Sequence, residues 1–388
     1  MIDEKFIVPR KLALLSYVLM AVGLVSFIAG FVLSPARTWA NYLLNNYYFV
    51  SLAIGAAFFI SLQYISQSGW SAAFKRIPEA MAAYIPFGAV FFVLLVFGVH
   101  HLYEWSHEEA VANDPLIAHK APYLNAPFFL IRIIIFFALW ILLTKMLRRA
   151  SLREDAEGGT ASFYKSEHLS RIFIFVVAIT FSAFSIDMLL SLEVHWFSTI
   201  YAAKMFVSAF LHGSAVIALI VIILNKTGYL KLLNRSHLHD FTRYIFMLSI
   251  IWGYFTFAQF MLIWYGNIPE ETIFYVRRSE GVYEVLFYLS IVLNWLLPFL
   301  FLMPRSSSRS RMVMTPVIIL LMIGQYVELY YEIWPIAAGP DAGFGLLEIG
   351  SFLGYAGLFI WVVVTWLAKA RLIPVNHPYL QESLNHHF

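Results

Sequence analysis

No cysteine occurs in the 388 residues of this chain. The chain can therefore form no disulfide, hold no iron–sulfur cluster through its own thiolates and attach no c-type haem covalently. Charge is scarce as well: Asp, Glu, Lys and Arg make up 13% of the residues, against about 25% in ordinary soluble domains. No Walker loop, HExxH helix or nucleophile elbow occurs, and no basic soluble surface points to nucleic acid. The longest connections, around 104–126 and 148–170, are too short to fold as soluble domains, so any chemistry lies between helices or at their rims.

What the chain has instead is apolar length. Hydrophobic residues make up 61% and aromatics 18%, and the mean hydropathy is +0.75. A span needs about 20 apolar residues to cross the hydrocarbon layer. Ten such segments are predicted near 11–33, 48–67, 80–103, 127–147, 171–191, 198–224, 241–265, 283–303, 312–333 and 345–368. The expected fold class is thus an all-α polytopic membrane protein. The first run follows Lys5, Arg10 and Lys11 but lacks a small-residue cleavage pattern, so it reads as a retained span. Pro86, Pro298 and Pro316 fall near or within spans, where they would kink the helix and free a carbonyl.

Lys and Arg choose the sides. Alternate connections, beginning with the N-terminal segment, hold all of them except Arg37, Lys120, Arg132, Lys204, Arg277 and Arg278. By the positive-inside rule those connections and both termini are cytoplasmic. The opposite connections are acidic and aromatic, as in YEWSHEEAVANDP and SLEVHWFST. Trp105, Trp196, Trp264 and Tyr265 are expected to form the interfacial aromatic belt there. The SSSRSR run at 306–311 is a basic cytoplasmic turn able to touch lipid headgroups.

Ionisable groups inside spans cost about 2.5–3.5 kcal/mol each on insertion scales, so each is a functional candidate with a partner to be found. Here they concentrate in the outer half. His100, His101 and Glu104 close the third span, Arg132 opens the fourth, and Asp187, Glu193 and His195 end the fifth. Lys204 and His212 lie in the sixth, Gln259 in the seventh, Gln325, Glu328 and Glu332 in the ninth, and Glu348 begins the tenth. Such a layer can bind a polar headgroup and exchange protons with the external face. Asp187 is expected to pair with Lys204 or Arg132, either as a structural ion pair or within a relay. The predicted pocket combines His100, His101, Asp187 and His195, with Arg132, Glu104 and Trp196 as binding residues; the predicted relay combines Lys204, His212, Gln325, Glu328 and Glu332. No metal site is expected. A bis-histidine b-type haem needs ligands at similar depth, and His212 lies several residues deeper than His100 or His101.

Three stretches carry a family likeness: SGWSAAFKRIPEAM at 68–81, SIDMLLSLEVHWFSTIYAAK at 185–204 and FAQFMLIWYGNIPEETIFYVRR at 257–278. Together they make the chain resemble polytopic subunits related to the polysulfide reductase membrane subunit, specifically the smaller such subunit of bacterial alternative complex III. The resemblance implies a multi-pass subunit of the bacterial inner membrane, in a quinol:cytochrome c oxidoreductase. It implies two four-helix bundles, 48–191 and 198–333, flanked by helices 11–33 and 345–368. Menaquinone or ubiquinone would be the quinone substrate. The implied partners are iron–sulfur and c-type haem subunits on the periplasmic side, a larger related polytopic subunit and membrane lipid. Asp187 and His195 match family positions at the periplasmic end of a bundle helix, where quinol hydroxyls and released protons would be handled. The larger relative is the implied main quinol site. Two other classes compete on the residues alone: a secondary transporter using Asp187, Lys204 and Glu328, and a structural scaffold subunit.

Overall fold

Apolar runs of this length leave the backbone no water to bond with, so the chain closes its own hydrogen bonds as helices. The computed structural model describes residues 5–338 and 343–387. Among these described residues, ten helices are long and apolar enough to cross a membrane. They are span 1, Arg10–Leu33; span 2, Pro35–Ile65; span 3, Arg76–Leu102; span 4, Ala126–Glu157; span 5, Ala161–Leu192; span 6, Thr199–Lys226; span 7, Arg235–Gly266; span 8, Val282–Leu302; span 9, Arg311–Ala337; and span 10, Leu346–Leu367. The chain is an all-α, multi-pass membrane protein.

Spans 2 and 6 form the centre, and they are the two most enclosed helices. Gly55 lets them touch backbone to backbone: a Cβ there would lie 2.1 Å from the Ala209 carbonyl oxygen. Span 2 packs on spans 3 and 5 and span 4 on span 5, while span 6 packs on spans 7 and 9 and span 8 on span 9. Span 1 lies along span 10 at the flank.

Span 2 begins at Pro35, well before the predicted 48. Asn41, Asn45 and Asn46 hid the preceding turns from a hydropathy reading. Each is buried with an internal acceptor: Asn41 donates to Glu348 (2.9 Å), Asn45 to the Asn41 carbonyl and Asn46 to the Gly88 carbonyl. Arg37, placed in an outer connection by sequence, therefore lies in the first turn of span 2. There it grips Glu348 through Nε at 2.7 Å.

The predicted connection 148–170 is also mostly helix, broken only around Gly158, where φ is +69°. Its charges find partners at the Lys- and Arg-rich end of the helices instead of needing a loop. Lys75 pairs with Glu154 (2.6 Å), Arg76 with Asp155 and Glu79, and Arg148 with Glu79. The C-terminal segment folds onto this layer: Asn376 donates to the Asp155 carbonyl and Ser383 to the Trp70 carbonyl. The SSSRSR turn is tied down as well, with the Thr242 hydroxyl donating to the Ser308 carbonyl.

Pro86 stands in the first turn where span 3 resumes after a break at 83–84. Pro298 follows a π-helical turn, Val292–Leu296, in span 8. Pro316 lies inside span 9, as does Pro335.

Candidate functional site

Three polar groups lie toward the ends of the helices opposite the Lys- and Arg-rich connections, and the structure sorts the sequence candidates among them.

The first is a closed ion pair. Arg132, nearly two turns into span 4, donates from Nε to Asp187 Oδ2 (2.7 Å) and from Nη2 to Oδ1 (3.2 Å). Its Nη1 donates to the Tyr123 carbonyl, and its guanidinium lies 3.8 Å from the Tyr123 ring centre. Asp187 is fully buried. Both of its oxygens are thus held by one planar fork, the arrangement in which arginine binds carboxylate best. Lys204 is not its partner, contrary to the alternative expectation.

The second is a buried network across spans 6, 7, 8 and 9. Lys204 Nζ lies 2.9 Å from Glu332 Oε1 and 3.2 Å from Glu328 Oε1. Glu328 also accepts from Trp252 Nε1 (3.0 Å) and from the Ser208 hydroxyl (2.7 Å). His212, one turn beyond Ser208, has Nδ1 2.6 Å from the Ser208 carbonyl and Nε2 3.0 Å from Asn294 Oδ1. An imidazole facing two oxygens carries both protons; turning the Asn294 amide offers it a donor and suits the neutral ring. Asn294 Nδ2 has no other partner, so that turn breaks no hydrogen bond of the amide nitrogen. Gln325 does not join the network: it donates to Ser51 at 2.8 Å. The helical repeat keeps Gln325 on nearly the same face as Glu332, seven residues on, so the separation is one of depth: Gln325 lies about two turns along span 9 from Glu332, where Ser51 of span 2 is its partner.

The third is an outer groove of about 300 Å³, lined by His100, His101, Glu104, Glu193, His195 and Arg277. Its four predicted members are exposed. Asp187 and Arg132 do not line it, so the predicted pocket divides in two. His195 Nε2 bonds Asp114 Oδ2 at 2.6 Å. Asp114 also accepts from the Leu116 and Ile117 amides and caps the short helix Pro115–Lys120. The His195 hydrogen bond and those two amides hold the Asp114 carboxyl below its ordinary value of 3.8.

Arg277 and Arg278 connect the groove to the buried network, although sequence reading left them in a loop. Both donate to Glu193 at 2.9 Å. Arg278 is buried and also donates to the carbonyls of Phe274, Tyr331 and Glu332. The sequence signal was available in the charged pair at 277–278 facing Glu193 across one outer rim. The partner assignment was not. Trp196 and Trp105 are corrected too: both are buried, and Trp196 stacks on Phe274 at 3.9 Å, whereas Trp264 and Tyr265 are exposed.

The result is a ladder from the rim inward: Glu193, Arg278, Glu332, Lys204, Glu328, Ser208, His212, Asn294. A void of about 20 Å³ beside Lys204, Glu328 and Glu332 has room for one water. The chain matches no protein-family model and no curated protein. Its functional reading therefore rests on the residues and on the resemblance already described.

Proposed function

We propose that this chain is a membrane subunit of a quinol-oxidising respiratory assembly of the bacterial inner membrane, and that its own part is to carry protons along the Lys204 network. The observation that supports this is one ammonium serving two buried carboxylates. A lone structural pair is balanced, whereas Lys204 cannot neutralise both Glu328 and Glu332. The next cation inward from the rim, Arg278, is committed to Glu193 and three carbonyls. A buried carboxylate short of countercharge must be met by other donors, and Glu328 accepts from Trp252 Nε1 and the Ser208 hydroxyl, which places it in a file of hydrogen-bonding groups along which a proton can pass. Ser208 and His212 extend that site toward the middle of the membrane, and His212 with Asn294 can hold the ring in either protonation state.

Within such an assembly the electrons of quinol, whether menaquinol or ubiquinol, pass to iron–sulfur and c-type haem subunits on the outer side. The larger related polytopic subunit carries the main quinol site. The Asp187–Arg132 pair, closed by a bidentate fork, acts as a brace between spans 4 and 5.

The test uses the assembly purified through this chain and reconstituted in liposomes, with quinol-driven cytochrome c reduction and proton movement recorded together. Glu328→Gln is expected to lower proton movement on the order of 100-fold, the range for removing a proton-transfer group, while complex assembly persists. Unchanged proton movement overturns the reading. Ion uptake by this chain alone would replace it with a secondary transporter.

A further inference from the structure

A lateral cleft of about 670 Å³ opens between spans 7 and 8 and shares no lining residue with the His195 groove. The volume is that of a small-molecule pocket. Its floor is set by glycine: a Cβ on Gly253 would lie 2.6 Å from the ring of Trp295, which the π-helical turn of span 8 delivers there. Above that contact the two helices part. Tyr254, Phe257 and Tyr288 stand exposed along the opening, which faces the surrounding lipid.

One end of the cleft is a cage of rings. Phe260 lies 5.2 Å from Tyr275, Phe287 lies 6.1 Å from Phe260 and 6.2 Å from Tyr275, and Tyr331 lies 5.6 Å from Phe287. Behind it Thr256 Oγ1 is buried without a hydrogen-bond partner. Thr256 also lines the small void beside Lys204 and Glu328, so it stands between cleft and network. A buried hydroxyl with neither donor nor acceptor costs stability unless something meets it.

The polar groups exclude a phospholipid headgroup. Among the described residues the one cation lining the cleft, Arg278, is spent on Glu193 and backbone carbonyls, and Glu284 at the mouth repels phosphate. Aromatic faces and one orphan hydroxyl suit a neutral planar ring that bears oxygens, with a hydrocarbon tail leaving between the helices.

We propose that the cleft between spans 7 and 8 binds a neutral prenyl quinone or quinol, with its ring against Thr256, Tyr275 and Phe287 and its tail passing Phe257 and Tyr288. This deepens the respiratory reading by placing the substrate class beside the network, at a site separate from Asp187 and His195. Occupancy is measurable without turnover, so its failure leaves the proton-path test standing.

The experiment is photolabelling of membranes containing the full chain with a prenyl azidoquinone, followed by isolation of the chain and location of the label by mass spectrometry. Label is expected within 250–260, 275–279 and 284–295, and it should be competed away by unlabelled quinone. Thr256→Leu and Ile291→Trp, which fill the cleft from opposite walls, should each lower labelling on the order of tenfold, with the thermal midpoint as a folding check. Phe175→Trp, on the exposed face of span 5, should leave labelling unchanged. Label spread over exposed faces such as Phe175, or insensitivity to both filling variants, overturns the proposal. So does native mass spectrometry that finds a phospholipid retained in place of quinone.

Discussion

Lys204 reaches from span 6 to Glu332 on span 9 across 2.9 Å, buried among the helices. Removing one member of such a pair leaves a buried charge uncompensated, and that penalty exceeds the net contribution of the pair. Lys204→Met is therefore expected to destabilise the fold by about 3–5 kcal/mol. Adding Glu332→Gln should recover part of the loss. Denaturant unfolding in detergent of the single and double variants measures both effects.

Arg132 and Asp187 make the complementary case. Arg132→Met should cost a similar amount, about 3–5 kcal/mol, while Arg132→Met with Asp187→Leu should restore much of it. If the pair is a brace, the double variant keeps proton movement in the reconstituted assembly. Loss of proton movement at normal stability would return Asp187 to the relay.

At the outer rim, the Asp114 carboxyl is held below its ordinary value, first by the His195 hydrogen bond. A lowered carboxylate contributes above its ordinary pKa, and the contribution is lost as pH falls through the lowered value. Acid below the ordinary value of 3.8 should therefore loosen Pro115–Lys120. Hydrogen exchange at Leu116 and Ile117 reports this, and Asp114→Ala should show the loosening already at pH 7.

At the Lys- and Arg-rich end of the helices, His377 is buried near Tyr64 and Phe163, with ring centres 6.3 and 5.5 Å away. Burial, then the charges of Lys75 and Arg76, push its pKa down from 6.5 to about 2. The docked tail holds His377 neutral while the undocked tail protonates, so docking is fully stable above pH 6.5 and weakens as pH falls below it. The slope reaches about 1.4 kcal/mol per pH unit. Exchange of residues 372–387 should rise between pH 7 and 5, and His377→Phe should flatten that rise.

Seven of the ten spans were legible as apolar runs within six residues at each end, because a lipid-facing helix must be apolar along its length. Span 4 runs ten residues past its predicted end and span 5 begins ten before its predicted start, since their charged turns pair there with Lys75, Arg76, Glu79 and one another, and span 2 begins thirteen residues early. Span 2 is enclosed by protein, and an enclosed helix can carry Asn41, Asn45 and Asn46 where partners await them. Arg37 then looked like a loop residue. Arg277 and Arg278 misled in the same way: Arg278 is as buried as the core, yet nothing local in FYVRRSE says so.

The sequence by itself determined the class of the molecule: ten membrane crossings, a cysteine-free chain and ionisable groups concentrated in the outer half. Each follows from composition and period, which are properties of the segment alone. Which charge meets which was decided only by the tertiary structure. Asp187 could reach Arg132 or Lys204 as far as spacing goes, and the packing of span 4 on span 5 and of span 6 on span 9 gave each cation a different carboxylate. The cleft between spans 7 and 8 belongs to the same class of fact. It exists because Gly253 admits Trp295 at one level and the helices diverge above it, a relation between two segments that neither one encodes alone.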